Sequence, residues 1–363
     1  MVIFFLVYIV VCFWGAKLHR GLNRDYLSVD NTQAVKGVFI LLVFFSHFNS
    51  YASYERDFDL IYKNTVTSFR QTMVTLFLFY SGYGVMESIN KKGLDYLKEF
   101  PVKRILSTLF KFVCAVTLFF LIGTFVTAEK YTIPRVLLSL IGWESLGNSN
   151  WYIFVILVLY LISYAAFRFL IQKNRVIPLM ISLAAVVALI WLNEAYNVKP
   201  DYWIDTALCY VAGMLYAQYR KPVEAAVNKH GLIYCAVTVL VYLAFAFLKK
   251  HMGNIVALIG VNLCFAGFVV LLSMRITVKN KILVWCGKNL FELYILQRIP
   301  MILFKQTGLA EWNVYLYFVA CFAVTLILVR PFKYVTDKLW TLVLKTLALF
   351  RHKKPEKEFY DGF

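Results

Sequence analysis

Charge is scarce in this chain: 16% of its 363 residues are Asp, Glu, Lys or Arg. Soluble proteins carry roughly a quarter. The apolar runs that replace charge show no period-2 alternation, which excludes a β-barrel. Hydrocarbon then leaves the helix as the spanning element, because each segment must satisfy its own backbone. There is no CxxC pair, and all seven cysteines (Cys12, Cys114, Cys209, Cys235, Cys264, Cys286 and Cys321) lie within apolar runs. That pattern reads as small buried hydrophobes, with neither a disulfide framework nor a metal site. Carboxylates are scarcer than cations, 20 against 38, for a formal net charge of +18. The cations are sorted by loop, as membrane topology requires, so nucleic acid is excluded as a partner. No internal repeat and no long polar domain is visible.

What is present is a series of apolar segments, 61% of residues being hydrophobic. Spans are expected at roughly 1–16, 34–51, 71–88, 105–128, 151–171, 176–194, 202–219, 232–248, 254–273, 282–304 and 312–330. The fold class is therefore an all-α polytopic membrane protein with about eleven transmembrane helices, embedded in the lipid bilayer of the cell membrane. The first run lacks a basic leader region and a small-x-small cleavage pattern, and reads as an uncleaved anchor. The loops at 17–33, 89–104, 168–175, 220–231 and 274–281, with the tail after 330, hold most of the Lys and Arg. The positive-inside rule puts those loops and the C-terminus in the cytoplasm and the N-terminus outside. Lys249, Lys250 and His251 fall on the wrong side of this pattern, with no account from sequence. Three regions follow: 1–33, an anchor helix and basic loop; 34–330, the membrane domain; and 331–363, an amphipathic cytoplasmic tail expected to lie on the leaflet to about 350 and to end in a solvated stretch.

Five stretches carry the polar residues that an ordinary span lacks. In KGVFILLVFFSHFNSY, Lys36 and His47 are eleven positions apart, which brings them within about 20° of one another on a helix and about 16 Å apart along it. His47 is the one histidine within a span; the other four lie in loops or the tail. In LFLFYSGYGVMESINKKG, Ser81, Gly82 and Gly84 permit close helix approach. The following loop gathers Lys91, Lys92, Lys98, Lys103 and Arg104, either as topology signal or as a phosphate-binding rim. GWESLGNSNWYI sets Asn148, Ser149 and Asn150 beside Trp143 and Trp151, suited either to sugar hydroxyls and a stacked ring or to the membrane interface. WCGKNLFELYILQRIP carries Lys288, Asn289, Glu292, Gln297 and Arg298, and is expected to line a polar cavity, with Lys288 and Glu292 spaced for an i,i+4 pair.

Taken in order, these stretches resemble the acyltransferase 3 family of integral membrane O-acyltransferases. The family opens its core with a cation, usually Arg, then ten residues and a His; Lys36 and His47 keep that spacing with Lys in place of Arg. FYSGYG at 79–84 matches its Ser-Gly-aromatic span end, Lys103-Arg104 its basic pair, and Trp151-Tyr152 its Trp-aromatic span opening. Gly287, Lys288 and Tyr294 match a late Gly-basic-…-Tyr stretch, with Gln297 where a His often stands. The resemblance covers 34 to about 330.

The resemblance implies transfer of an acyl group, acetyl above all, from cytoplasmic acyl-CoA to a hydroxyl of an extracytoplasmic glycan. Lys36 and His47 become the catalytic pair, His47 as general base. Lys91, Lys92, Lys103 and Arg104 would hold the nucleotide end of acyl-CoA. Ser81, Asn150, Trp151, Lys288, Glu292 and Tyr294 would serve the substrate, with Lys288, Asn289 or Ser81 as oxyanion donors. No metal is implied, and the small-residue faces leave room for a homodimer. Two other readings remain: a transporter or flippase for an anionic or polysaccharide substrate, against which no inverted repeat or pair of broken helices is seen, and a degenerate non-catalytic relative.

Overall fold

The computed structural model describes residues 1–352 except 55, 70, 172 and 173; the stretch 353–363, expected to be solvated, lies outside the described residues. Among the described residues the regular structure is helical, save one two-residue antiparallel pairing of Lys17–Leu18 with Ile276–Thr277. In order, the helices are α1 (Val2–Phe13), α2 (Val29–Phe48), α3 (Asp57–Phe69), α4 (Thr72–Lys92), α5 (Leu94–Phe100), α6 (Ser107–Phe125), α7 (Ile133–Leu140), α8 (Trp151–Leu170) and α9 (Val176–Tyr196). They continue as α10 (Ala207–Val227), α11 (Gly231–Lys250), α12 (Ile255–Ser273), α13 (Lys281–Lys288), α14 (Leu290–Leu296), α15 (Arg298–Gln306), α16 (Leu309–Trp312) and α17 (Val314–His352). A π-helical turn, Pro101–Leu106, joins α5 to α6.

Among the described residues, seven helical segments are long and apolar enough to cross a membrane: 29–48, 94–125, 151–170, 176–196, 231–250, 255–273 and 314–347. The protein is thus an all-α, multi-pass membrane protein. Helical segments occupy all eleven expected spans, yet α1 is only 12 residues long. The expected 282–304 span is divided among α13, α14 and α15. The interruption at Asn289 has a local cause, since its backbone leaves the helical region and its side-chain amide donates to the Trp285 carbonyl at 2.9 Å. At the chain's end, α17 passes through Pro331 without a break to His352. The expected separate tail helix is therefore continuous with the last span. It is tied to the core by Lys333, which donates to Asn289 Oδ1 at 3.1 Å, and by Asp337, which pairs with Lys111 at 2.6 Å.

The charge-sorted loops do gather at one end. Tyr26, in the loop after α1, donates to Glu224 near the end of α10 at 2.8 Å, and Arg175 donates to Asn90 at 3.1 Å. The Lys17–Leu18 pairing reaches the loop after α12. We call this the basic end. At the other end lie the segments 49–71, 141–151 and 197–206.

Two glycine crossings set the centre of the bundle. A Cβ at Gly37 of α2 would overlap the Leu283 carbonyl of α13, and one at Gly287 would overlap the Gln33 carbonyl in return. Gly82 of α4 and Gly213 of α10 are reciprocal in the same way, each against a backbone carbonyl of the other helix. With no side chain between them the backbones touch, so α2 is held fast at the foot where Lys36 stands. Gly84, by contrast, faces open space. Of the two expected packing glycines, Gly82 alone does that work.

Candidate functional site

Helix α2 starts at Ser28, whose hydroxyl accepts from the Asn31 amide, and ends beside Asn49. Lys36 stands nearer its basic end and His47 in its last turn, so one rigid element fixes both. His47 opens into a cavity of about 570 Å³ at the end opposite the basic loops. Its walls come from six separate stretches: α2, α3 with Lys63 and Thr67, the start of α4 with Gln71, Met73 and Val74, the 145–151 loop, Tyr202, and Tyr294 with Arg298.

This cavity is unusual in its unmet hydrogen bonds. His47 Nδ1, Asn49 Nδ2, Asn148 Nδ2, Ser149 Oγ, Tyr294 OH and Arg298 Nε are all buried without a hydrogen-bond partner, and all six residues line it. Buried polar atoms are ordinarily paired, so a cluster of exceptions around one space leaves donors and acceptors there for water or a polar ligand. Asn148, Ser149 and Tyr294 are themselves at most 4% exposed. Tyr294 sits 5.9 Å from the His47 ring and 5.3 Å from Tyr152, centroid to centroid. Arg298 is the charged side chain whose field reaches His47, and it lies beside the Tyr51 hydroxyl.

The loop that supplies Asn148 and Ser149 is braced by its own polar groups. Asn150 donates to the carbonyls of Gly142 and Glu144, at 2.9 and 3.1 Å. Asn148 Oδ1 accepts from the Leu146 amide at 3.0 Å, which leaves its amide nitrogen free to face the cavity. Trp151, the first residue of α8, lines the cavity with its ring 6.0 Å from Tyr202.

The structure therefore brings His47, Asn150, Trp151 and Tyr294 together and leaves other expected residues elsewhere. Lys288 and Glu292 do not pair with one another. Lys288 binds Asp30 in the first turn of α2 at 3.3 Å, a full helix length from His47, and Glu292 faces Lys111 at 3.9 Å. Asn289 is engaged by Trp285 and Lys333. Ser81 lies beside the Tyr152 hydroxyl, which reaches the cavity only through Tyr294. None of Lys288, Asn289 and Ser81 lines the cavity as an oxyanion donor. Arg298 does line it; the sequence reading set Arg298 in a polar cavity with its neighbours and gave it no role of its own. Its signal was present: four residues after Tyr294 it shares that residue's helical face, whereas Glu292, two residues before, points away.

The basic loop divides likewise. Lys91 pairs with Glu87 at 3.1 Å, Lys98 with Asp95 at 2.8 Å and Lys103 with Glu99 at 2.8 Å, all on the outside of the loop. Lys92 is exposed. Arg104, one position beyond Lys103 in the π-helical turn, turns inward and donates to the Tyr96 hydroxyl at 3.2 Å. Its charge acts on Lys36. Among the described residues no carboxylate forms an ion pair with Lys36 or Arg104. Two neighbouring cations without a counter-charge attract anions. From Arg104, the hydroxyl-bearing side chains Tyr160, Tyr152 and Tyr294 occupy the interval to His47.

The model of one protein family, described as an acyltransferase domain, matches residues 29–330. Comparison with curated proteins and with solved structures returns no match.

Proposed function

Because the chain belongs to the acyltransferase 3 family and is thus an acyltransferase, we propose that it moves an acetyl group from acyl-CoA to a glycan hydroxyl, with the donor entering at the basic end and the acceptor at the opposite one. By the positive-inside rule the basic end faces the cytoplasm, where acyl-CoA is found, and the His47 cavity faces outward across the cell membrane. The observation that carries this reading is the set of six unpartnered polar atoms around His47. A polyhydroxylated ring supplies both donors and acceptors at that density, and Trp151 offers a face for it to stack on.

On this reading the donor phosphates lie against Lys36 and Arg104, and the exposed Lys91, Lys92 and Lys103 attract them over distance rather than hold them. The thin pantetheine arm follows the tyrosine-bearing interval toward His47. His47 takes the proton of the acceptor hydroxyl as that oxygen attacks the thioester carbonyl carbon. The carbon–sulfur bond then breaks, and the CoA sulfur leaves as thiolate and recovers the proton. Negative charge gathers on the carbonyl oxygen in between. Arg298 is the cation placed to face it, a role worth about a hundredfold or more in rate for one donor. Asn148, Ser149 and Tyr294 orient the acceptor.

The test is a transfer experiment with purified protein, labelled acetyl-CoA and a mixture of cell-surface glycans. Label should move to the glycan fraction in an alkali-labile ester, with free thiol released in equal amount. Binding of acetyl-CoA without any transfer to any glycan would sink the reading, as would transport of glycan across vesicles without acylation.

A further inference from the structure

The His47 cavity is not isolated. It shares Gln71 and Tyr202 with a second cavity of about 400 Å³ between α3, the 200–205 turn and α11–α12. It shares Ser50 with a third of about 360 Å³ between α6, the 127–135 segment and α15. His47 thus lines the middle one of three neighbouring spaces that share wall residues. One monosaccharide in the middle space would leave the outer two empty.

Their charge is also ordered. The middle cavity is lined by Lys63 and Arg298, and no described carboxylate lines it. The second has Lys249 in its wall, with Asp201 and the buried Asp205. The third has Arg135 and Lys305, with Glu129. Every space offers at least one cation, and the two nearest the reacting position face no acid. Lys249 belongs to the one cation cluster that contradicted the topology pattern. Its ammonium lies 5.4 Å from the Phe245 ring and 6.0 Å from the Phe69 ring, held at the cavity wall. A cation retained on the side where cations are rare, and aimed into the trough, has an explanation in the ligand.

We propose that the acceptor is an anionic glycan chain, bearing carboxylates or phosphates along its length, which lies across all three cavities and is acylated at an internal unit over His47. The proposal rests on the acyltransferase reading for the role of the middle cavity, and its binding test does not use the donor. Acidic groups on successive units meet Lys249, then Lys63 and Arg298, then Arg135 and Lys305. The unpartnered Asn148, Ser149 and Tyr294 bind hydroxyls of the central unit.

The experiment measures binding to the full chain in lipid nanodiscs, by tryptophan fluorescence, with acyl-CoA left out. The probes are galacturonate, its linear hexamer and the neutral maltohexaose. The acidic hexamer should bind about tenfold or more tighter than the acidic monomer, since linked units bind with raised effective concentration, and rising salt should weaken it. Lys249→Ala and Arg135→Ala should each weaken the hexamer by about threefold, in line with a partly exposed ion pair, and leave the monomer unchanged. Lys249→Arg, which keeps the charge, should bind as wild type does and guards against a merely misfolded variant. Equal affinity for hexamer and monomer would overturn the proposal, and so would equal affinity for acidic and neutral hexamers. A protein that binds the acidic hexamer as expected and transfers no acetyl group would overturn the acyltransferase mechanism alone.

Discussion

Adding one methyl group to helix α4 should give opposite results at two positions a half-turn apart. At Gly82 the new Cβ would lie 2.8 Å from the Tyr210 carbonyl carbon, where ordinary contact begins at 3.4 Å. The obstacle is backbone and the Tyr210 carbonyl oxygen lies nearer still than its carbon, so no rotamer relieves it, and α4 and α10 must part until both atoms clear the new Cβ. The two helices cross at Gly82 and Gly213 together, so that separation loosens packing along the whole crossing. Overpacking of this kind costs about 1–3 kcal/mol, and the backbone obstacle puts Gly82→Ala at the upper end. Ala regains about 1 kcal/mol of helix propensity over Gly, so the net loss is about 2 kcal/mol. That corresponds to about 3 °C in the melting midpoint of a chain of this length. At Gly84 nothing lies within 4 Å, so Gly84→Ala keeps the propensity gain alone and should melt at or slightly above wild type. The assay is a thermal ramp of the detergent-purified variants, followed by tryptophan fluorescence and by recovery of the monodisperse species. Gly213→Ala should behave like Gly82→Ala, because its Cβ meets the Phe79 carbonyl in return. If Gly82→Ala melts within a degree of wild type, or Gly84→Ala falls as far, the crossing is not the constraint described here.

Three further outcomes follow from the same geometry. Tyr294→Phe removes a buried hydroxyl that makes no well-formed hydrogen bond and has Ser149 and the Tyr152 backbone as polar neighbours; stability should change little while kcat/KM for transfer falls about tenfold, the loss of roughly one hydrogen bond. Arg104→Ala should raise the KM for acyl-CoA by about tenfold or more, the loss of a charge-assisted phosphate contact. Lys103→Ala, which removes an exposed pair with Glu99, should change it by less than about twofold; equal effects would return the donor site to the loop surface. Arg298→Gln should lower kcat by about a hundredfold with little change in the KM for acyl-CoA, as expected of an oxyanion donor, and a change confined to acceptor KM would make Arg298 a binding residue instead.

Much of this molecule is legible in the order of its residues. Spans in hydrocarbon are long and uniform, so their positions follow from hydropathy. The gathering of the basic loops at one end follows from their alternation. Lys36 and His47 were placed correctly on one helix because their relation is local, fixed by 3.6 residues per turn. Asn150 and Trp151 were legible as a polar and aromatic stretch that suits either a ligand or the membrane interface, and Tyr294 as part of a polar late span; the structure sets all three around the His47 cavity. Partner choice was not. Lys288 and Glu292 have ideal spacing for each other, yet Asp30 and Lys111 from other helices take them. Tertiary neighbours outbid a local pair worth only about half a kcal/mol. The inward turn of Arg104 depends on a π-helical turn that residue spacing does not announce. The tail after 330 reads as separate because it is apolar on one helical face only, and its helix continues the last span, with Lys333 and Asp337 anchored to the bundle.

The central claim is that His47 performs the transfer chemistry in a cavity built for the acceptor. Its most direct test compares wild type with His47→Ala, both purified and shown to bind acetyl-CoA, following thiol release with and without the glycan mixture. Acceptor-dependent release by wild type, lost by about a hundredfold or more in the variant while CoA binding persists, is the expected result for a general base. Equal release by both proteins would make His47 a packing residue and contradict the account.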